Sequence, residues 1–61
     1  MPNVQIEVLT GRTLDQKREM VKKVTQAICE SMNCPPEAVA ISIRENTKEG
    51  LAKAGKLMVD M

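Results

Sequence analysis

The second residue of the chain is a proline that leads directly into a predicted strand. Initiator methionine is commonly trimmed before a small residue, and removal of Met1 would leave Pro2 with a free secondary amine. Desolvation and nearby cations can bring such an amine towards neutrality, and a general base works best with a pKa near the operating pH. Pro2 is therefore a candidate general base. The alternative is structural, because a proline can begin a strand without losing a ladder hydrogen bond, and position alone favours that simpler role.

The composition of the chain argues against several other kinds of partner and site. The chain has 61 residues, no histidine and no aromatic residue, and its nine basic and eight acidic residues give a net charge of +1. Without a basic face or stacking rings we expect no nucleic-acid partner, and the apolar runs are too short to span a bilayer. Cys29 and Cys34 are spaced neither as a C-x-x-C redox motif nor as a zinc motif. We expect free thiols, no metal and no cofactor, in a cytoplasmic protein.

Period-2 alternation predicts two strands, at residues 3–9 and 39–45. Each strand has one β-branched face, formed by Val4, Ile6 and Val8 in the first and by Val39, Ile41 and Ile43 in the second. Residues 46–61 are less regular, and residues 57–59 suggest a short edge strand or an arm.

The connection between the two strands is predicted to be one long helix. Thr13 and Gln16 fit a capping box at its start, and Asn33 is suited to a left-handed cap before the two prolines at 35–36. Apolar residues recur at three- and four-residue steps on one side: Met20, Val21, Val24, Ala27, Ile28 and Met32. A strand, helix and strand in this order favour parallel strands with a right-handed crossover. The predicted fold is α/β (α+β), a β-α-β unit with a short C-terminal hairpin or arm.

One helix can cover only one face of such a sheet, whereas parallel sheets are normally covered on both. The uncovered face would carry Gln5, Glu7, Leu9, Ala40, Ser42 and Arg44. A chain of this length buries only about 60% of its unfolded surface and is marginal alone. We therefore predict a single domain over residues 1–61 that assembles into a homo-oligomer.

Several features follow one another in a fixed order: Pro2 before a strand, Gly11-Arg12, Gln16-Lys17, a proline after the helix, and Ile41 with Ile43-x-Glu45. This order resembles the 4-oxalocrotonate tautomerase family over nearly the whole chain. The resemblance implies a subunit that dimerises into a four-stranded sheet, with three dimers in a hexamer. It also implies keto–enol tautomerisation of 2-hydroxydienoates or related 2-oxo acids.

By the same resemblance, Pro2 acts as the base and then as the acid, and Arg12 binds a substrate carboxylate through its bidentate fork. The alternative for Arg12 is a solvated loop residue. Seven strand residues place the two ends of the first strand roughly 20 Å apart. A site that uses both Pro2 and Arg12 must therefore lie between subunits.

Two positions depart from the family pattern. Ala40 stands where the family has a second arginine, which removes a group that would stabilise negative charge on the 2-oxo oxygen. Leu51 stands where the family has a pocket phenylalanine, and we expect it to line the pocket. Arg44 lies on the same strand face as Ala40 but about 13 Å away. It would enter a pocket from a neighbouring subunit, or else form an interface ion pair.

The departures leave a second hypothesis open, a non-catalytic or promiscuous oligomer of this fold in which Pro2 is vestigial. Ala40 favours that hypothesis, whereas Pro2 together with Arg12 favours the enzyme. Dehalogenation of haloacrylates, which a related branch achieves with an acidic residue in the tail, is disfavoured because residues 51–54 contain no carboxylate.

Overall fold

The computed structural model describes residues 1–61. The regular elements in chain order are β1 (Asn3–Leu9), α1 (Leu14–Met32), β2 (Ala40–Asn46), β3 (Ala52–Lys53) and β4 (Lys56–Leu57), with 3₁₀ turns at Pro36–Ala38 and Met58–Asp60. This order confirms the predicted β-α-β unit and its C-terminal hairpin.

Strands β1 and β2 pair in parallel, as predicted, in a register that runs from Asn3 opposite Ala40 to Leu9 opposite Asn46. Strand β2 begins and ends one residue later than the predicted range of 39–45. The reason lies in the 3₁₀ turn before it, because the Val39 N–H donates to the carbonyl of the turn's first residue at 3.1 Å. That bond keeps Val39 out of the sheet ladder.

Both ends of α1 are fixed by the predicted caps. The Gln16 N–H donates to Thr13 Oγ1 at 3.1 Å, and the Thr13 N–H donates to Gln16 Oε1 at 2.9 Å, so the capping box is closed in both directions. At the other end Asn33 adopts the left-handed conformation (φ 54°, ψ 54°) and its N–H donates to the Cys29 carbonyl.

The apolar stripe of α1 is half-buried over its middle but not at its end. Half-buried positions on the helix and on the facing strands are Met20, Val21, Val24, Ile28, Val4, Ile6, Val8, Ile41 and Ile43. Two residues of the stripe are exposed, namely Ala27, and Met32 at 64%. A 19-residue helix is about 28 Å long and a seven-residue strand about 23 Å. The helix therefore overhangs the sheet, which also explains the 60% exposure of Leu14 at its first turn.

No residue of the isolated chain is buried, and its accessible surface is 4981 Å². A compact monomer of 6.7 kDa would expose about 3,900 Å². The radius of gyration, 14.5 Å, likewise exceeds the roughly 10.5 Å of a compact chain of this length. The outer face of the sheet contributes to this surface, since no element covers it. The chain thus has the shape of a subunit rather than of a self-sufficient domain.

The C-terminal tail forms a small sheet of its own. Strands β3 and β4 are antiparallel, and their two-residue connection, Ala54-Gly55, has positive φ at both positions (54° and 82°), as a tight hairpin turn requires. The predicted edge strand at 57–59 was wrong after Leu57. The residues that follow enter a 3₁₀ turn, which is closed by the Met61 N–H donating to the Met58 carbonyl at 3.2 Å. Neither α1 nor any turn is long and apolar enough to cross a membrane.

Candidate active site

Pro2 sits where β1 begins and is tied to the start of β2. Its carbonyl accepts a hydrogen bond from the Ala40 N–H at 3.0 Å. The first register pair of the sheet, Asn3 opposite Ala40, follows directly after Pro2. The residue is half-buried, whereas Met1 before it is exposed. Pro2 is therefore anchored through its carbonyl, and its nitrogen has no N–H that the sheet would need.

Arg12 lies beyond the opposite end of the same strand. It follows Gly11, whose φ of +115° is a conformation that favours glycine. Its side chain is exposed and makes no ion pair within the chain. It lines a cavity of about 260 Å³ together with Val8, Gln16, Lys17 and Met20. An unpaired guanidinium at the edge of a partly apolar cavity is suited to bind a carboxylate.

Lys17 and Glu45 form an ion pair beside this cavity that the sequence analysis did not predict. The pair joins the first turns of α1 to the end of β2, and its side chains are 23% and 37% exposed. Lys17 is therefore neutralised within the chain, and Arg12 is the cavity's uncompensated positive charge. Both residues lie in motifs of the sequence, Gln16-Lys17 and Ile43-x-Glu45, but no local pattern pairs positions 28 residues apart.

Arg44 lies on the uncovered face of the sheet, opposite Glu7 in the strand register. The two side chains form a loose ion pair of 4.0 Å, and both are largely exposed. They line a shallow concavity of about 630 Å³ in the middle of that face. The structure thus places Arg44 away from Pro2 and from Arg12, and its entry into a pocket stays a prediction.

Leu51 is half-buried at the start of the tail hairpin, where its carbonyl accepts from the Met58 N–H. It lines none of the three concavities of the single chain. Its predicted role as a pocket residue stays untested.

The proposed base and the proposed carboxylate ligand are not brought together in one chain. The seven residues of β1 lie between Pro2 and Arg12, which corresponds to a separation of roughly 20 Å. Each end of the sheet therefore holds one half of the predicted machinery.

Comparison with known proteins decides the family. Residues 2–61 match the model of a protein family described as tautomerase enzyme. The chain belongs to the tautomerase family. Its resemblance to 4-oxalocrotonate tautomerases is thereby confirmed, and so is its assignment as an enzyme of the isomerase class.

The individual relatives agree with this assignment. The chain is 43% identical to a 2-hydroxymuconate tautomerase of Bacillus subtilis (strain 168), over 100% of the chain and 98% of the relative. Among solved structures it resembles YwhB, described as a homologue of 4-oxalocrotonate tautomerase, with a TM-score of 0.94, 42% identity and coverage of 98% of both chains. It also resembles a heterohexameric 4-oxalocrotonate tautomerase of Chloroflexus aurantiacus J-10-fl, with a TM-score of 0.93 over 100% and 98% of the two chains. At 24% identity that last likeness concerns the fold alone.

Proposed function

We propose that this tautomerase interconverts the enol and keto forms of 2-hydroxydienoates or related 2-oxo acids, and that Pro2 moves the proton. It would act in the cytoplasm, as a single domain of residues 1–61 repeated in a homo-oligomer. The observation that carries the proposal is the anchoring of Pro2. Its carbonyl is held by the Ala40 N–H, so the nitrogen can serve chemistry without weakening the sheet. The 2-hydroxymuconate tautomerases among the relatives support the substrate class.

The proposed proton transfer requires removal of Met1. The secondary amine of Pro2 then takes the proton of the dienol hydroxyl as the oxygen becomes a carbonyl. The same nitrogen returns a proton to the conjugated carbon, so that the substrate gains a C–H bond, loses an O–H bond and keeps its composition. A general acid–base group in this position contributes about 10² to 10⁴ in rate.

Arg12 is the proposed ligand of the substrate carboxylate. Because it lies roughly 20 Å from Pro2 of its own chain, the site would combine Pro2 of one subunit with Arg12 of a neighbour. Assembly is supported by the absence of any buried residue in the single chain. A heterohexamer among the structural neighbours provides a precedent for a hexamer, which would contain three dimers here.

Ala40 leaves one function of the site without an obvious residue. A neutral methyl group cannot stabilise the charge that develops on the 2-oxo oxygen, a contribution that is often large in enzymes. Arg44 of a neighbouring subunit is the candidate for that function, and Leu51 is the candidate for the pocket wall.

The same observation supports a second candidate function. If nothing replaces the missing cation, the chain is an oligomer of the tautomerase fold with little or promiscuous catalysis, in which Pro2 is vestigial. The two candidates differ in whether blocking the Pro2 nitrogen changes any rate.

The test is a substrate panel measured with protein of known N-terminus. Intact mass first identifies a preparation that lacks Met1, and a preparation that keeps Met1 serves as the matched control. The panel contains 2-hydroxymuconate, another 2-hydroxydienoate, phenylenolpyruvate and a haloacrylate, with the loss of the dienol absorbance as readout for the first three. We expect acceleration of a 2-hydroxydienoate only in the preparation without Met1. Equal rates in the two preparations would contradict the proposal.

A further inference from the structure

The two cysteines lie outside the proposed site and meet at the C-terminal end of α1. Beyond the left-handed Asn33, the Cys34 N–H donates to the Cys29 carbonyl at 3.4 Å, and the Asn33 N–H donates to the same oxygen. In helix termini of this kind, the two residues joined by the bond across six residues frequently pack their side chains together. Here both of those side chains are thiols.

The backbone bond limits how far apart the two residues can be. With standard bond lengths on either side of a 3.4 Å contact, the Cα atoms of Cys29 and Cys34 are separated by at most roughly 7 Å. Since the three segments are not in line, the true separation is shorter. Disulfides span Cα separations of about 4.4–6.8 Å. The backbone separation of the two residues is therefore within the range that a disulfide can bridge.

Cys34 is also among the groups that set the protonation of Cys29. Burial raises the pKa of the Cys29 thiol above its ordinary value, and the neighbouring Cys34 raises it further, followed by Glu37 and Glu30. Both cysteines are half-buried and unbridged. The thiol form of Cys29 is thus favoured, which slows any reaction that needs its thiolate.

A groove gives small molecules access to this pair. Cys29 lines a concavity of about 470 Å³ between α1 and the following turn, together with Val21, Thr25, Glu30 and Pro36. In the single chain, a low-molecular-weight disulfide can therefore approach Cys29 from solvent without unfolding of the helix.

We propose that Cys29 and Cys34 form a reversible two-electron redox site that closes into an intrachain disulfide. The oxidant is a small-molecule disulfide such as glutathione disulfide. One thiolate attacks a glutathione sulfur and releases a glutathione thiolate, which gives a mixed disulfide on the protein. The second cysteine, as thiolate, then attacks the protein sulfur of that mixed disulfide and releases the second glutathione. In sum two protein thiols lose two electrons and two protons, and one glutathione disulfide becomes two glutathiones.

The order of attack follows from the surroundings. Because Cys29 is held in its thiol form, we expect Cys34 to form the mixed disulfide and Cys29 to resolve it. The bridge would close a ring of residues 29–34 and tie the end of α1 to the prolines that lead into β2. The site is independent of the catalytic proposal, since it involves neither Pro2 nor Arg12.

The experiment uses the full chain, reduced and then equilibrated in glutathione redox buffers of increasing oxidant content. Samples are quenched in acid, free thiols are labelled with N-ethylmaleimide under denaturing conditions, and intact masses are recorded. We expect the wild type to pass from two labels to none, with a loss of about 2 Da and no retained glutathione, and dithiothreitol to restore both labels. Stable glutathione adducts on the wild type, or chains linked in pairs, would overturn the proposal.

The single variants Cys29→Ser and Cys34→Ser are the matched controls. Each lacks a resolving partner, so Cys29→Ser is expected to retain one glutathione, and Cys34→Ser to acquire it more slowly. The wild type provides a readout that needs no variant. Its bridge should form faster as pH rises towards the raised pKa of Cys29, because the thiolate fraction then grows. Closure at a rate that does not change with pH would contradict attack by a thiolate, and equal rates of glutathione uptake by the two single variants would contradict the assigned order of attack.

Discussion

The two ends of the β1–β2 sheet are chemically opposite. At the end where both strands begin, the residues Pro2, Asn3, Val39 and Ala40 carry no charged side chain. At the other end Arg12 lies free at a cavity that is also lined by Lys17, the partner of Glu45 in an ion pair. The pKa of an amine base falls towards the operating pH in desolvated surroundings, whereas binding of a carboxylate needs a fixed positive charge. One short chain holds both kinds of surroundings by keeping them a strand's length apart.

This separation makes assembly part of the chemistry in the proposed mechanism. An Arg12 contributed by a neighbouring subunit would place a cation near the Pro2 amine. A nearby positive charge disfavours protonation of an amine, so the neighbour would favour the neutral, basic form of Pro2 while it binds the substrate.

Blocking the Pro2 nitrogen should have the largest effect. With Met1 retained, that nitrogen belongs to an amide and has no basic lone pair, so tautomerisation of a 2-hydroxydienoate should fall to the background rate. Pro2→Ala with Met1 removed leaves a primary amine at the same place and should retain part of the activity. Initial rates with N-termini verified by mass are the measurement, and full activity with Met1 present would place the chemistry elsewhere.

Arg12→Ala tests the charged end. A hydrogen bond to a charged group contributes about 1.5–3 kcal/mol, so kcat/KM should fall by about 10- to 100-fold, mainly through KM. Arg12→Lys keeps the charge but loses the bidentate fork, and should lie between the wild type and Arg12→Ala. An unchanged KM in Arg12→Ala would mean that Arg12 is only a solvated loop residue.

Mixing a Pro2 variant with an Arg12 variant tests whether Arg12 acts across a subunit interface. When a Pro2 variant and an Arg12 variant are refolded together, some mixed oligomers should combine an intact Pro2 with an intact Arg12 from a neighbour. Activity should return in the mixture although each protein alone is impaired. If native mass spectrometry demonstrates subunit exchange and no activity returns, Arg12 does not act across an interface.

Ala40→Arg introduces a positive charge at the uncharged end of the β1–β2 sheet, where Pro2 lies. The residue is exposed on the uncovered sheet face, and its N–H donates to the Pro2 carbonyl, a bond that a larger side chain leaves in place. A flexible new guanidinium is not preorganised, so we expect a gain of about tenfold in kcat rather than the full effect of a built oxyanion site. Ala40→Gln provides a neutral side chain of comparable reach as control. An equal gain in both variants would exclude charge as its cause.

The sequence predicted the parts of the molecule that depend on local patterns. Alternation located β1, and the Thr13–Gln16 box and Asn33 located both ends of α1, because each signal lies within a few residues of the structure it specifies. The exposure of Met32 was not predictable from periodicity, since it depends on the relative lengths of helix and sheet. The Lys17–Glu45 pair was missed for a similar reason. Its members are 28 residues apart and meet only after the strands have paired, so no spacing rule could have joined them.

That ion pair leads to the smallest expected effect. Because both side chains remain partly exposed, the pair should contribute no more than about 1 kcal/mol to the free energy of unfolding. Glu45→Gln and Lys17→Met, with the double variant, complete a cycle that isolates this contribution. Chemical denaturation at two salt concentrations is the measurement, and the coupling energy should shrink at the higher salt concentration.

The Glu45→Gln variant also gives a functional readout, because it leaves Lys17 as a second unpaired cation beside the cavity that Arg12 lines. Its KM for a carboxylate substrate should then fall slightly while kcat holds. A rise in KM would instead mean that the pair fixes the shape of the Arg12 cavity, and that geometry rather than net charge determines binding at this end.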